Sequence, residues 1–350
     1  MFLVVIGTRP EAIKLAPIIW ELKRGKSPHV VVHSGQHTDL VAPIFDELEI
    51  QIDFYLHAMV PGQELHHLLA TLVRRLGDII QQVRPTFTIV QGDTTTALAG
   101  ALSSVYNCVE VAHVEAGLRT HHLWSPFPEE ANRKSVGALS SLHFAPTVEA
   151  YQNLIREGIP KERITLVGNT VVDTLYKYKQ PKIKNTNLIL ATIHRRENHR
   201  FLDEIFSALL YLSNSFQVVL TVHPNPAVKE AIKKLPRASN LQILPAPSYL
   251  SWLRLVQTAA LVITDSGGVQ EECASLGIPL LVARDTTERP EIIQGKHGYL
   301  VGHHRETIVS YAEMAMRGKL EFRVGQPFGD GHAAQRIVAK LLQEWRKAGA

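Results

Sequence analysis

Three carboxylates stand where a chain commonly does chemistry. Asp93 follows the apolar run TFTIVQ and Gly92, Glu115 follows VEVAHV, and Glu129 opens EEANR after SPFP. Gathered around one carbon, such groups would invert it, one taking a proton from one face and another returning it to the opposite face. Each also has a plainer use. Asp93 would cap the Thr-rich helix start that follows it. Glu115 would be a buried carboxylate satisfied by neighbouring N–H groups, and Glu129 with Glu130 the acidic first turn of a helix after Pro128.

An anion site is suggested by residues 261–272, LVITDSGGVQEE. Four apolar residues read as a buried strand, Asp265-Ser266-Gly267-Gly268 as a tight turn and Val269 onward as a helix. Such a turn offers backbone N–H groups and the positive end of the helix dipole to a diphosphate. Glu271 reads as an acid favoured by that dipole, and Glu272 as a carboxylate for ribose hydroxyls. FLVVI followed by Gly7-Thr8-Arg9-Pro10-Glu11 is the same device at the start of the chain. Arg9 in that turn would fork onto a phosphate. Lys14, a helical turn later, reads either as solvated or as a second cation, and Arg284 and Arg289 complete the basic candidates. His194 and His223 each end an apolar run and would hydrogen-bond a departing phosphate. No cysteine accompanies the histidines as a metal-ligand partner, so no metal is expected.

These residues need a scaffold that brings strand ends together. Strands read at 2–6, 29–34, 86–91 and 109–114, with helices near 39–48 and 63–83. A polar, Pro-containing linker at 176–187 precedes a second set, with strands at 188–194, 216–223, 241–246, 261–264 and 279–283 and helices near 201–213 and 249–259. A last helix reads over 332–347. The alternation predicts α/β architecture with parallel sheets covered on both faces and ligands at the carboxyl ends of the strands. Two doubly wound halves, 1–175 and 188–331, are expected to face a central cleft. At 350 residues the formal charge is only +4 and the basic residues are scattered, which argues against nucleic acid as the main partner. No run reaches membrane-spanning length. Cys108 and Cys273 are the only cysteines; both stand in apolar sequence and point to a reduced, cytoplasmic setting without disulfides.

The motifs GTRPEAIKLAP (7–17), GDTTT (92–96), HVEAGLRT (113–120), SPFPEEANR (125–133), VGNTVVD (167–173), HRREN (194–198), TDSGGVQEE (264–272), RDTTERPE (284–291) and FGDGHAAQRI (328–337) closely resemble those of the non-hydrolysing UDP-N-acetylglucosamine 2-epimerases. The resemblance implies a glycosyltransferase-B architecture of two Rossmann-like domains, with the last helix, about 332–350, crossing back to the first. It implies interconversion of UDP-GlcNAc and UDP-ManNAc without a cofactor, by anti elimination of UDP to 2-acetamidoglucal and re-addition. By the same resemblance, Ser266, Gly267 and Gly268 would hold the diphosphate and Glu272 the ribose, with Arg9, Lys14, His223 and Arg289 along the same UDP site. Asp93, Glu115 and Glu129 would meet the sugar, His194 would assist departure of UDP, and the protein would be a homodimer. Which carboxylate is base and which acid stays open. The sequence departs from many members at Gln36-His37-Thr38-Asp39 and Gly62-Gln63, in regions that help form an activator site in bacterial members. The rivals are a hydrolysing relative releasing ManNAc and UDP, a glycosyltransferase of the same architecture, and a nucleotide-sugar sensor without turnover. The GTRPEAIK start argues against the first, the lack of an acceptor motif against the second, and the presence of all three carboxylates against the third.

Overall fold

The computed structural model describes residues 1–35, 42–60, 62–180, 185–222 and 225–348. The chain divides into two compact units, one formed by Met1–Lys177 with Phe328–Ala350 and the other by Tyr178–Pro327.

The first unit holds strands β1 (Phe2–Ile6), β2 (His29–His33), β3 (Phe54–Tyr55), β4 (Phe87–Gln91), β5 (Glu110–Val114), β6 (Leu142–Ala145) and β7 (Ile164–Leu166). Their order is β3-β2-β1-β4-β5-β6-β7, and every pairing is parallel. FLVVI of β1 is buried throughout, as the central strand of a sheet covered on both faces must be. Its helices are α1 (Arg9–Arg24), α2 (Ala42–Glu47), α3 (Leu65–Val83), α4 (Thr95–Tyr106), α5 (Glu129–Leu139), α6 (Val148–Arg156) and α7 (Thr170–Lys177). Leu68, Leu72 and Leu76 recur at four-residue spacing on α3 and enter one core with Leu3, Val5, Ala97 and Ala101, the stripe expected of an amphipathic helix.

The second unit holds β8 (Leu188–Thr192), β9 (Gln217–Val222), β10 (Leu241–Pro245), β11 (Leu261–Thr264), β12 (Leu280–Val282) and β13 (Gly298–Leu300), in the order β10-β9-β8-β11-β12-β13. These strands are also parallel. Its helices are α8 (Leu202–Leu212), α9 (Pro226–Lys233), α10 (Tyr249–Thr258), α11 (Gly267–Leu276), α12 (Pro290–Gln294) and α13 (Arg305–Met316). Counted from its own first strand, the order is 3-2-1-4-5-6, the doubly wound order of dinucleotide-binding sheets. In both units the order reverses beside the first strand, between β1 and β4 and between β8 and β11. Ligands of such sheets bind outside the carboxyl ends of those two strands.

The final helix, α14 (Ala333–Ala348), belongs to the first unit. The Asp173 carboxylate accepts from Ala333 N at 3.2 Å and Ala334 N at 2.9 Å, closing the otherwise unsatisfied start of α14. Asn169 N donates to Phe328 O at 2.7 Å, and the Trp345 ring meets Phe2 edge-on at 5.7 Å. VGNTVVD and FGDGHAAQRI are therefore two sides of one structural joint.

Several expectations are corrected. Helix α7 extends through Lys177, two residues into the stretch read as linker. Cys108 is exposed beyond the end of α4, whereas Cys273 is buried. The helix after β11 begins at Gly267 rather than Val269, so the glycine pair lies inside its first turn and Ser266 is the N-cap.

Candidate functional site

In the first unit the predicted residues gather around the β1–β4 reversal. Chain leaving β1 passes Gly7 and enters α1 at Arg9, which is partly exposed. Glu11, in the first turn of α1, is buried, and its carboxyl group accepts from Gly7 N at 3.1 Å and from Thr94 Oγ1 at 2.8 Å. Burial raises its pKa to about 7, and the hydrogen bonds from Thr8, Thr94 and Gly7 offset only part of that. Thr94, not Asp93, is the N-cap of α4, accepting from Ala97 N at 3.0 Å.

Relieved of capping, the Asp93 carboxylate pairs with the Arg133 guanidinium of α5, while Asn132 Nδ2 donates to Asp93 O at 2.9 Å. Arg133 also donates to Glu130 at 2.9 Å. The two adjacent glutamates at the start of α5 part company here. Glu130 is fully buried and accepts from Thr120 N at 3.1 Å and His121 N at 3.2 Å. Glu129 is partly buried, and its Oε2 has no hydrogen-bond partner among the described residues. Glu130 is thus committed to structure, and Glu129 keeps an acceptor for something else.

Glu115 follows β5 in the left-handed region, at φ +64°. That conformation costs a non-glycine residue roughly 1–2 kcal/mol, so its surroundings must hold it there. Lys14 Nζ meets Glu115 Oε2 at 2.6 Å, with both side chains buried, and Gln91 Nε2 donates to the same oxygen. Two side chains thus reach this carboxylate. Lys14 is correspondingly not solvated, since the attraction of Glu115 offsets its desolvation. Beneath them, His113 Nε2 lies 2.8 Å from Gly92 O; a carbonyl only accepts, so Nε2 carries the hydrogen. Burial lowers the His113 pKa to about 3, leaving a neutral ring.

In the second unit the residues gather around the β8–β11 reversal. Asp265, wholly buried after β11, accepts from His194 N at 3.1 Å, Arg195 N at 2.9 Å and Asn198 Nδ2 at 3.0 Å. It thereby fixes the loop after β8, where His194 lies two residues beyond the strand. Burial pushes the His194 pKa down, against the pull of Asp265 and with the help of Arg195. A neutral imidazole results, able to donate one hydrogen bond.

The α11 start has the features of an anion site. Ser266 makes no side-chain cap, so it leaves the first helical N–H groups, beginning at Gly267 and Gly268, without that partner. A Cβ on Gly268 would meet nothing within 4 Å, so that side of the helix start is open. A Cβ on Gly267 would fall 2.5 Å from Arg289 Nη1, because the guanidinium lies flat against this turn. Arg289 Nε donates to Glu271 at 2.6 Å, so Glu271 is an ion-pair partner beyond the first turn and not an acid placed by the dipole. Glu288 stands 3.7 Å from Arg289 Nη1 and 2.6 Å from Arg284 Nη1. Burial acts to raise its pKa, but Arg289, Arg284 and Arg195 together hold it well below the usual carboxylate range. Glu272 is buried and accepts from Trp252 Nε1 at 2.8 Å. His223 lies outside the described residues.

The structure therefore brings Arg9, Lys14, Asp93 and Glu115 to strand ends of the first unit, with Glu129 at the start of α5, the helix that holds Asp93. His194, Ser266, Gly267, Gly268, Glu272 and Arg289 gather in the second. Sequence reading passed over Glu11, Gln91, Arg133, Trp252, Asp265, Asn198 and Glu288 as members of these networks. Arg133 had a signal, the i,i+3 spacing from Glu130 on a helix; Trp252 had none, because only the tertiary packing of α10 brings it to Glu272.

Residues 21–342 match the model of the family described as UDP-N-acetylglucosamine 2-epimerase. The UDP-N-acetylglucosamine 2-epimerase of Bacillus subtilis (strain 168) is 38% identical, over 97% of this chain and 94% of its own. The crystal structure of UDP-GlcNAc 2-epimerase from Neisseria meningitidis bound to UDP-GlcNAc is similar at 36% identity and a TM-score of 0.90, over 98% of this chain and 99% of that one. The Methanocaldococcus jannaschii UDP-GlcNAc 2-epimerase in complex with UDP-GlcNAc and UDP is similar at 33% identity and a TM-score of 0.87, over 98% and 100%. The fold is accordingly the glycosyltransferase-B class of two Rossmann-like units. With both strand-end clusters in place and likeness along nearly its whole length, this chain belongs to the UDP-N-acetylglucosamine 2-epimerase family.

Proposed function

We propose that this protein interconverts UDP-GlcNAc and UDP-ManNAc without hydrolysis. A base takes the C2 proton; the C–H electrons form the C1–C2 double bond of 2-acetamidoglucal, and the C1–O bond breaks with its electron pair leaving on UDP. Re-addition of UDP with protonation on the opposite face of C2 completes the inversion. The sequence is redox-neutral, and this chain's own side chains cover its proton transfers. Asp93, Glu115 and Glu129 are the groups that meet the sugar, and His194 donates to the departing diphosphate. The backbone N–H groups of Gly267 and Gly268 take the diphosphate charge in the manner of a helix start, with Arg9 and Arg289 adding guanidinium charge and Glu272 receiving the ribose. Lys14 lines the same UDP site and pairs there with Glu115.

The observation that carries this reading is the Glu129 carboxylate, whose buried oxygen lacks a partner among the described residues while three other groups hold its neighbour Glu130. That open acceptor stands at the start of the helix whose Asn132 and Arg133 hold Asp93, where a ligand would meet both carboxylates. Binding of UDP-GlcNAc and UDP by similar structures supports the choice of substrate. The test is proton NMR of UDP-GlcNAc incubated with the protein in D2O, without added metal or NAD. UDP-ManNAc deuterated at C2 is expected. Free ManNAc with UDP would replace this reading by the hydrolysing reaction, and an unchanged spectrum would remove both.

A further inference from the structure

The pairing of Asp93 with a guanidinium has a structure of its own. Arg133 lies on the first turns of α5, three residues after Glu130, and is buried. It meets Asp93 on one side and Glu130 at 2.9 Å on the other. Glu130 is not a surface counter-ion. It has no exposed area and takes two backbone N–H groups, from Thr120 and His121, as well as the guanidinium. Those N–H groups belong to a loop fixed in turn by Arg119, which donates to both oxygens of Glu157 at 2.8 Å and 2.6 Å and to Leu118 O at 2.7 Å. Asn132, next to Arg133, donates to the Asp93 carbonyl at 2.9 Å. Asp93 is thus gripped at its main chain and its carboxylate by consecutive residues of α5.

We propose that Arg133 is the positioning residue for Asp93 in the epimerisation and that buried Glu130 is the anchor which orients Arg133. The inference rests on the reading that Asp93 meets the sugar. A planar guanidinium shared between two carboxylates fixes direction as well as distance. One sits too deep to meet a ligand, so the shared cation transfers the rigidity of the α5 start to the one that does. Lysine at this position would supply the charge without the fork.

The experiment compares kcat and KM for Arg133→Gln, Arg133→Lys, Asp93→Asn and the double variant Arg133→Gln/Asp93→Asn, following C2 deuterium incorporation in D2O. Arg133→Gln is expected to lower kcat about 100-fold with KM within about twofold, the signature of an interaction that matters in the transition state. Arg133→Lys should recover part of that loss. The double variant should be no slower than Asp93→Asn, because two residues acting as one unit do not lose activity additively. A kcat for folded Arg133→Lys and Arg133→Gln equal to that of the unchanged protein would overturn the inference, as would losses that multiply in the double variant. If Asp93→Asn alone retained full turnover, the underlying reading of Asp93 would fail instead, and the two failures are told apart by that single variant.

Discussion

Both units end their central strands in a cluster of charge, yet the clusters are built for opposite ends. In the second unit the acids serve the scaffold: Asp265 takes three N–H groups, Glu288 and Glu271 take guanidiniums and Glu272 takes an indole N–H. What that cluster presents is donor-rich backbone at the start of α11. In the first unit the cations serve the acids. Lys14 holds Glu115, Arg133 holds Asp93, and Glu129 keeps an oxygen unpartnered among the described residues. The difference teaches that one topology, repeated with the same switch point, can carry either acids spent on the scaffold or acids held by cations.

Exchanging the character of the clusters should therefore have opposite effects. The largest is expected in the first unit. Asp93→Asn and Glu129→Gln should each cut turnover by roughly 10²–10⁴, the usual worth of a positioned acid or base, while UDP affinity by calorimetry stays unchanged. Equal turnover with weakened UDP binding would invert the comparison.

Lys14→Met separates positioning from folding. Leaving Glu115 buried without its cation should cost about 3–5 kcal/mol in urea unfolding. Lys14→Met combined with Glu115→Gln should regain most of that stability without regaining turnover. If the single variant unfolds like the original protein, the pair is not the support of the left-handed Glu115 conformation.

Glu11 offers a change read by pH. Its folded pKa of about 7 stands above the ordinary 4.5 because of burial. Between those values the folded protein holds more protons at this site than the unfolded chain, so stability falls as pH rises from 4.5 to 7. The penalty is absent below that window, and it levels off above it at up to about 3 kcal/mol. Glu11→Gln should flatten this part of the pH–stability curve, measured as urea midpoints at pH 5 and pH 8. An identical slope in the variant would mean that Glu11 is not held neutral.

The smallest effect belongs to the second unit. Gly268→Ala meets open space and should fold normally, yet crowd a diphosphate lying on the helix start. About a tenfold loss of UDP affinity is expected, equivalent to about 1.4 kcal/mol. Gly267→Ala should instead lose stability, because its methyl group would displace Arg289. Should the two alanine variants behave alike, the anion does not lie where Gly268 opens.

The central strands of both sheets were legible in the sequence, because buried parallel strands write themselves as continuous runs such as FLVVI and LVIT, whereas the short strands β3, β6, β7 and β13 gave no such run and were not read. The strand-end positions of Asp93, Glu115 and the SGG turn were legible too. What the sequence hid was partnership. Nothing in the spacing of Lys14 and Glu115, 101 residues apart, shows that they meet at 2.6 Å, and nothing near Glu272 announces Trp252. The helix start after β11 was misplaced by two residues because glycine reads locally as a turn, whereas here Arg289 lies over the helix start and requires one at Gly267. The role given to Asp93 as a cap failed for a similar reason, since Thr94 offers a hydroxyl one residue closer to the helix.

The central claim is that the C1–O bond to UDP breaks and re-forms while C2 inverts. UDP-GlcNAc carrying ¹⁸O in the bridge between C1 and the β-phosphorus tests it most directly, with the ³¹P spectrum read as epimerisation proceeds. The account predicts that the label spreads from the bridge to the non-bridging β-phosphate oxygens of recovered UDP-GlcNAc and UDP-ManNAc. A label that stays in the bridge through full epimerisation, with the liberated diphosphate free to rotate, would contradict it.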